Sequence, residues 1–175
     1  LLFALTDATI IARLQGLTVS DYTGRPTGTS ITLDQATIAT ITGNLTLMAQ
    51  GQIHLGTTSL SGSTSKLTVV AADDLSIGDW KAANLLIQST GLYDIRGSFG
   101  GGNLTVPTAL KNASGANPTT VSLTALHDIQ LDVAVTPTTG LLLHAGNVLK
   151  GIGVPTAITV TGAGSYVDIS TSGHL

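Results

Sequence analysis

Cysteine is absent from this 175-residue chain, so neither disulfides nor cysteine-ligated metal sites hold it together. Glutamate is absent as well: all ten acidic residues are aspartate. Aspartate accepts turns and local backbone hydrogen bonds, whereas glutamate suits helices, so the acids read as turn residues, with calcium ligation the rarer alternative. Charge of either sign is scarce, at 10 % of residues against the usual figure of about 25 %. The net charge is −3, and Lys66, Lys81, Lys111 and Lys150 are far apart in sequence, as are Arg13, Arg25 and Arg96. No nucleic-acid partner is expected, because its electrostatic footprint is missing. Aromatic residues make up 3 %, with Trp80 the lone tryptophan, which argues against a sugar-binding cleft lined by aromatic platforms. Long hydrophobic runs are missing too. Leu1-Leu-Phe-Ala-Leu5 is short and lacks a basic flank, so it is neither a signal peptide nor a membrane span. The chain does not begin with Met and reads as a piece of a longer chain or a mature product.

Apolar residues, by contrast, make up 42 %, enough for a sizeable core. Threonine is the commonest residue and glycine numbers 21. Thr, Val and Ile suit a pleated surface, and Gly suits tight corners.

The chain also repeats. Asn44-Leu-Thr-Leu-Met-Ala49 returns as Lys66-Leu-Thr-Val-Val-Ala71, Asn84-Leu-Leu-Ile-Gln-Ser89 and Asn103-Leu-Thr-Val-Pro-Thr108. Weaker copies follow at Val121, Leu141 and Ile158. The leading apolar residues 45, 67, 85, 104, 121, 141 and 158 are 22, 18, 19, 17, 20 and 17 apart. A period near 19 in β-type sequence predicts a solenoid.

Counted from that leading residue, position +2 holds Leu47, Val69, Ile87, Val106, Leu123, Leu143 and Val160. Position +4 holds Ala49, Ala71, Ser89, Thr108, Ala125, Ala145 and Gly162, all small. Alternation with period two places these columns on one face, so each copy reads as a strand running into a tight corner. A second strand is expected eight residues on, with Ile53 and Leu55, Leu75 and Ile77, Tyr93 and Ile95, and Ile129 and Leu131 inward. In the last rung Val167 and Ile169 fit that second strand with a one-residue shift. Leu60, Phe99, Val135 and Val154 supply a third inward point. Three inward faces per turn predict an all-β, right-handed parallel β-helix of about nine rungs and about 40 Å. A β-sandwich is the competing architecture, but it has no reason to keep a small residue at the same place in every repeat.

The whole of 1–175 reads as one solenoid domain: 1–43 as irregular first rungs with a loop at 21–30, and 44–175 as regular rungs with a loop at 111–120. A helix at 8–15 competes at the start, since Ile10, Ile11 and Leu14 also fit helical spacing. Thr136-Pro-Thr-Thr-Gly140 reads as a turn.

Residues 44–55 and 66–77 resemble the repeats of the filamentous-haemagglutinin type, in which a Leu-Thr-Leu strand leads through Ala and Gly into a second strand. The resemblance covers about 44–175 and is clearest in 44–106. It implies an interior shaft segment of a large Gram-negative exoprotein, an adhesin or contact-dependent toxin carrier. It further implies two-partner secretion through an outer-membrane transporter, and a cell-surface or secreted location. The Asn-Pro-Asn motifs of that family's secretion domain do not occur here, and neither does a toxin domain.

Candidate chemistry is sparse. Asp73 and Asp74 are adjacent, Asp128 falls at a comparable corner two or three rungs away, and Asp79, Asp94, Asp132 and Asp168 are scattered. A polysaccharide-active enzyme would need such carboxylates clustered with Lys, Arg or His. His54, His127, His144 and His174 are not at metal-ligand spacing, and His54 and His127 are placed outward in second strands. Gly100-Gly-Gly-Asn103 is not a calcium-binding repeat. An outward column of Thr46, Thr68, Leu86, Thr105, Ser122, Leu142 and Thr159 is too interrupted for an ice-binding face. Asn44, Asn84 and Asn103 read as an asparagine ladder at one corner, and Asn44, Asn103 and Asn112 match the N-glycosylation acceptor pattern. The expectation is a non-enzymatic structural segment with no catalytic, cofactor-binding or metal residues. A self-assembling filament subunit and a polysaccharide-active enzyme are the alternatives.

Overall fold

A computed structural model describes residues 8–12, 31–33, 42–49, 52–93, 99–151 and 157–173. Seven of its strands form one parallel sheet: β1 (Ala8–Ala12), β3 (Leu45–Ala49), β6 (Lys66–Ala71), β9 (Asn84–Ser89), β13 (Thr120–Ala125), β15 (Gly140–Ala145) and β17 (Tyr166–Thr171), in that order. Parallel neighbours cannot be joined by a hairpin, so the chain must travel round before each new strand. That return path builds the second face. It holds β7 (Leu75–Ser76), β12 (Leu104–Val106), β14 (Ile129–Leu131) and β16 (Leu149–Gly151) in one parallel sheet, and β2 (Ile31–Leu33) beside β4 (Ile53–Leu55) in another. The third face is shorter: β5 (Thr58–Ser59) pairs with β8 (Trp80–Lys81), Lys81 bridges to Lys111, and Val135 bridges to Ile158. The protein is a parallel β-solenoid.

The register explains the repeat. Leu45 stands beside Leu67, then Leu85, Val121, Leu141 and Val167. Leu47, Val69, Ile87, Leu123, Leu143 and Ile169 form the next inward column. Each core turn thus places an aliphatic side chain directly on its equivalent one turn away, about 4.8 Å distant. From Leu45 to Leu143 both columns are at most 2 % exposed, and one contiguous apolar cluster runs through them to the second and third faces. The small column is Ala49, Ala71, Ser89, Ala125 and Ala145, all buried. The coil turns tightly just beyond it. Gly146 donates its N–H to Ala125 O at 3.0 Å, and a Cβ there would lie 1.9 Å from Leu126 O. Trp80, 3 % exposed, closes the third face and donates Nε1–H to Leu55 O at 3.0 Å.

Several expectations are corrected. Leu104 does not open a first-sheet strand. It stands between Leu75 and Ile129 on the second face. The cause is an inserted hairpin, β10 (Leu92–Tyr93) antiparallel to β11 (Phe99–Gly100), which takes Tyr93 and Phe99 off the second and third faces. Three glycines then bring the chain back. Gly101 has φ +70, and a Cβ there would lie 2.8 Å from Asp73 Cα, so only glycine fits where the chain re-enters the corner beside Asp73. One turn consequently takes 36 residues, from Leu85 to Val121.

Ile158 likewise belongs to the third face, through its bridge to Val135. Val167 and Ile169 are first-sheet residues, continuing the Leu141 and Leu143 columns. Thr108 and Gly162 therefore leave the small column. The count falls accordingly: five turns join β3 to β17, rather than the expected nine or so rungs. Residues 8–12 form a strand paired with β3 in place of the competing helix. Ile95, Val154 and the loop at 21–30 lie outside the described residues. The expected loop at 111–120 is shorter at both ends, since Lys111 bridges to Lys81 and Thr120 opens β13; within it Asn112 Oδ1 accepts from Ser114 N–H and Ala116 N–H, both at 3.0 Å.

Candidate functional site

Polar side chains converge most clearly at the corner between the first and second faces. Asp74, Asn103, Asp128 and Val148 each precede the residue that opens the second-face column Leu75, Leu104, Ile129 and Leu149. Asp74 Oδ1 accepts from Asn103 N–H and Nδ2–H, both at 3.0 Å. Asn103 Oδ1 accepts from Asp128 N–H at 3.2 Å. Asp128 Oδ1 in turn accepts from Val148 N–H at 3.2 Å and Asn147 Nδ2–H at 2.9 Å. Each carboxylate or amide caps the backbone of the following turn, and the series stops at Val148, whose side chain has no acceptor to offer. Lys150 Nζ lies 3.7 Å from Asp128 Oδ2.

This ladder unites three of the residues singled out in the sequence. Asp74 and Asp128 share the corner two turns apart, and Asn103 fills the rung between them. Asn103 thus belongs to a different corner from Asn44 and Asn84. Those two lie at the entrance to the first sheet, where Asn44 Oδ1 accepts from Lys66 N–H at 2.9 Å and Asn84 Oδ1 from Thr120 Oγ1–H at 2.7 Å. Asp73 is 5 % exposed, and its Oδ1 accepts from Asp74 N–H at 2.8 Å. An acid/base pair must present free carboxyl oxygens to a substrate. Here Asp73, Asp74 and Asp128 each have Oδ1 committed to a backbone N–H.

The remaining candidates are dispersed. His54 is exposed in β4, with Nε2 3.0 Å from Gln52 Oε1, while His127 sits at the corner before β14, not in the strand. Asp79 pairs with Lys81 at 3.2 Å, and Asp132 accepts from Gln130 Nε2–H at 3.0 Å. Lys111 donates to Asn117 Oδ1 at 2.9 Å within its own loop. Among the described residues no group of three or more His, Asp, Glu or Cys side chains is placed to hold a metal ion. Thr46 and Thr68 are stacked outward on neighbouring strands, but Leu86 follows them, and Thr105 stands on the other face between Ser76 and Gln130.

One juxtaposition was not legible from spacing. On the outer side of the first sheet, Ser170 is the register partner of His144, and His144 Nε2 lies 3.2 Å from Asp168 Oδ2 without hydrogen-bond alignment. A shallow groove of about 420 Å³ adjoins them, lined by Thr124, His144, Gly146, Ser170 and Ser172. Serine, histidine and aspartate are the residue types of an acyl-transfer triad, but the order of contacts is wrong for one. Nothing joins Ser170 to the imidazole by a hydrogen bond, so the hydroxyl has no base. The signal that could have found this group is the Leu141–Val167 register, which spacing alone had assigned to another face.

The geometry defines a class, the parallel β-solenoids with a stacked aliphatic interior and side-chain ladders at the corners. No family model, curated protein or solved structure matches the chain.

Proposed function

We propose that the chain is a structural shaft segment of a secreted or cell-surface adhesin-like exoprotein, acting in attachment or display. The observation that carries this reading is the commitment of its polar corner residues. Asp74, Asn103 and Asp128 each bind the next turn of the coil, leaving them to hold a rod together and not to turn over a substrate. The resemblance of residues 44–55 and 66–77 to filamentous-haemagglutinin repeats supports the same reading and adds its expected partners: an outer-membrane transporter for export, and a host-cell or surface glycan as receptor. Contacts would be made by segments that leave the coil, such as the loop at 112–117, because exposed loops on a rigid scaffold vary without disturbing its ladders.

The test is binding of beads coated with the chain to epithelial cells and to a glycan array. Replacing 112–117 by a Gly/Ser linker should reduce capture while the far-ultraviolet circular dichroism stays that of the parent. The enzyme alternative predicts cleavage of uronate polymers; turnover lost on Asp74→Asn or Asp128→Asn would sink the structural reading.

A further inference from the structure

Three places in the chain carry the acceptor pattern for N-linked sugar, Asn-x-Ser/Thr with x other than proline: Asn44, Asn103 and Asn112. A transferase must reach all three residues of the pattern, and the fold separates the sites on that count. Leu45 and Leu104, the middle residues of the first two, are both 0 % exposed. Each lies in a strand bonded on both sides, β3 between β1 and β6, and β12 between β7 and β14. Their amides are also committed: Asn44 Oδ1 accepts from Lys66 N–H, and Asn103 spans Asp74 and Asp128. Asn112-Ala-Ser114 is different. It lies outside the strands, Asn112 and Ala113 are half-buried, and Ser114, Gly115 and Ala116 are exposed. Gly115 has φ +82, and a Cβ there would meet nothing within 4 Å, so the tip of the loop faces open space.

We propose that Asn112 is an N-glycosylation site, taking a sugar activated at its anomeric carbon by a diphosphate. Its side chain is already held as the transfer requires. Asn112 Oδ1 accepts from Ser114 Oγ–H at 2.8 Å and from the N–H groups of Ser114 and Ala116, both at 3.0 Å. Three donors on the amide oxygen stabilise the charge that builds there as Nδ2 loses a proton, and that loss turns a weakly nucleophilic amide nitrogen into an attacking group. Nδ2 itself is held by a long contact, 3.4 Å to Asn117 O. In the transfer, Nδ2 gives one proton to a base of the transferase and forms the bond to the anomeric carbon. The bond from that carbon to the diphosphate oxygen breaks, and its electron pair leaves with the diphosphate. The loop is braced in this conformation. Asn112 N–H donates to Ala116 O at 2.9 Å, Gly115 N–H to Asn112 O at 3.0 Å, and Lys111 Nζ to Asn117 Oδ1 at 2.9 Å. Nothing in this depends on the adhesin-like reading.

The test uses the whole 175-residue chain, produced without sugar and kept folded. It is incubated with UDP-glucose and a soluble asparagine glucosyltransferase that reads Asn-x-Ser/Thr, and the product is mapped by mass spectrometry of the intact chain and of its peptides. A single hexose is expected, on Asn112, added at least about tenfold faster than on Asn44 or Asn103, whose strands must first open. Ser114→Ala should lose the label and Ser114→Thr should keep it, both with the parent's circular dichroism, because the loop lies outside the ladders. Three results would overturn the proposal: no label on Asn112, label on Asn44 or Asn103 at the same rate, or full labelling of Ser114→Ala.

Discussion

Truncating Leu123 to alanine tests whether the inward columns hold the coil. Leu123 is 0 % exposed and stands between Ile87 and Leu143, which are 1 % and 0 % exposed. The strands on either side are locked at ladder spacing, so the wall around the lost isobutyl group has little freedom to collapse. The upper part of the range for buried leucine truncation then applies, about 4–5 kcal/mol. Two controls separate column from burial. Thr124→Ala, next in the same strand but outward, should change stability by no more than about 0.5 kcal/mol. Val167→Ala lies in an inward column but at its open end, 54 % exposed; it loses about half the transfer free energy of two methyl groups and leaves no closed cavity, so it should cost under about 1 kcal/mol. Urea unfolding followed by Trp80 fluorescence reads all three, because Trp80 is the single tryptophan and is 3 % exposed. Circular dichroism should be recorded in parallel at dilution, since coincident transitions license a single free energy. A cost under about 1 kcal/mol for Leu123→Ala, or a cost for Val167→Ala as large as that for Leu123→Ala, would refute the idea that the inward columns hold the coil.

Asn103→Ala removes the amide that links Asp74 to Asp128 and should cost about 1–2 kcal/mol in the same assay. Asn103→Asp would place a third carboxylate between two others, so it should be worse than the parent at neutral pH; the deficit should shrink as pH falls and the new carboxyl is protonated. Gly146→Ala should destabilise by at least about 1 kcal/mol despite the residue's exposure, because the new methyl would meet the Leu126 carbonyl; a neutral result on a thermal melt would contradict the corner geometry.

The regular turns were legible because each buries its residues in the same way. Leu45, Leu67, Leu85, Val121 and Leu141 fill one column, and alternation along each strand marks its inward side without any knowledge of neighbours. Leu104 and Ile158 were misplaced for the same reason. Leu104-Thr-Val106 has the alternation of a first-sheet strand, and nothing local separates an inward leucine on one face from an inward leucine on another. What decided its place was the hairpin ahead of it, from Leu92 to Gly100, and the re-entry at Gly101 against Asp73. The corner ladder was half legible. Asp74, Asn103 and Asp128 each stand out in the sequence, but their connection depends on 29- and 25-residue steps that only the register imposes.

The sequence by itself determined the class of fold. A period near 19, a small residue after every second inward aliphatic, and the scarcity of charge and helix-forming acids leave a parallel β-solenoid as the arrangement that buries the apolar residues. Only the tertiary structure decided which turn each repeat belongs to, because register is a long-range property set by backbone ladders and by the length of whatever leaves the coil between them. It also decided that Val167 and Ile169 continue the first-sheet columns of Leu141 and Leu143, although their alternation is that of an inward strand on any face.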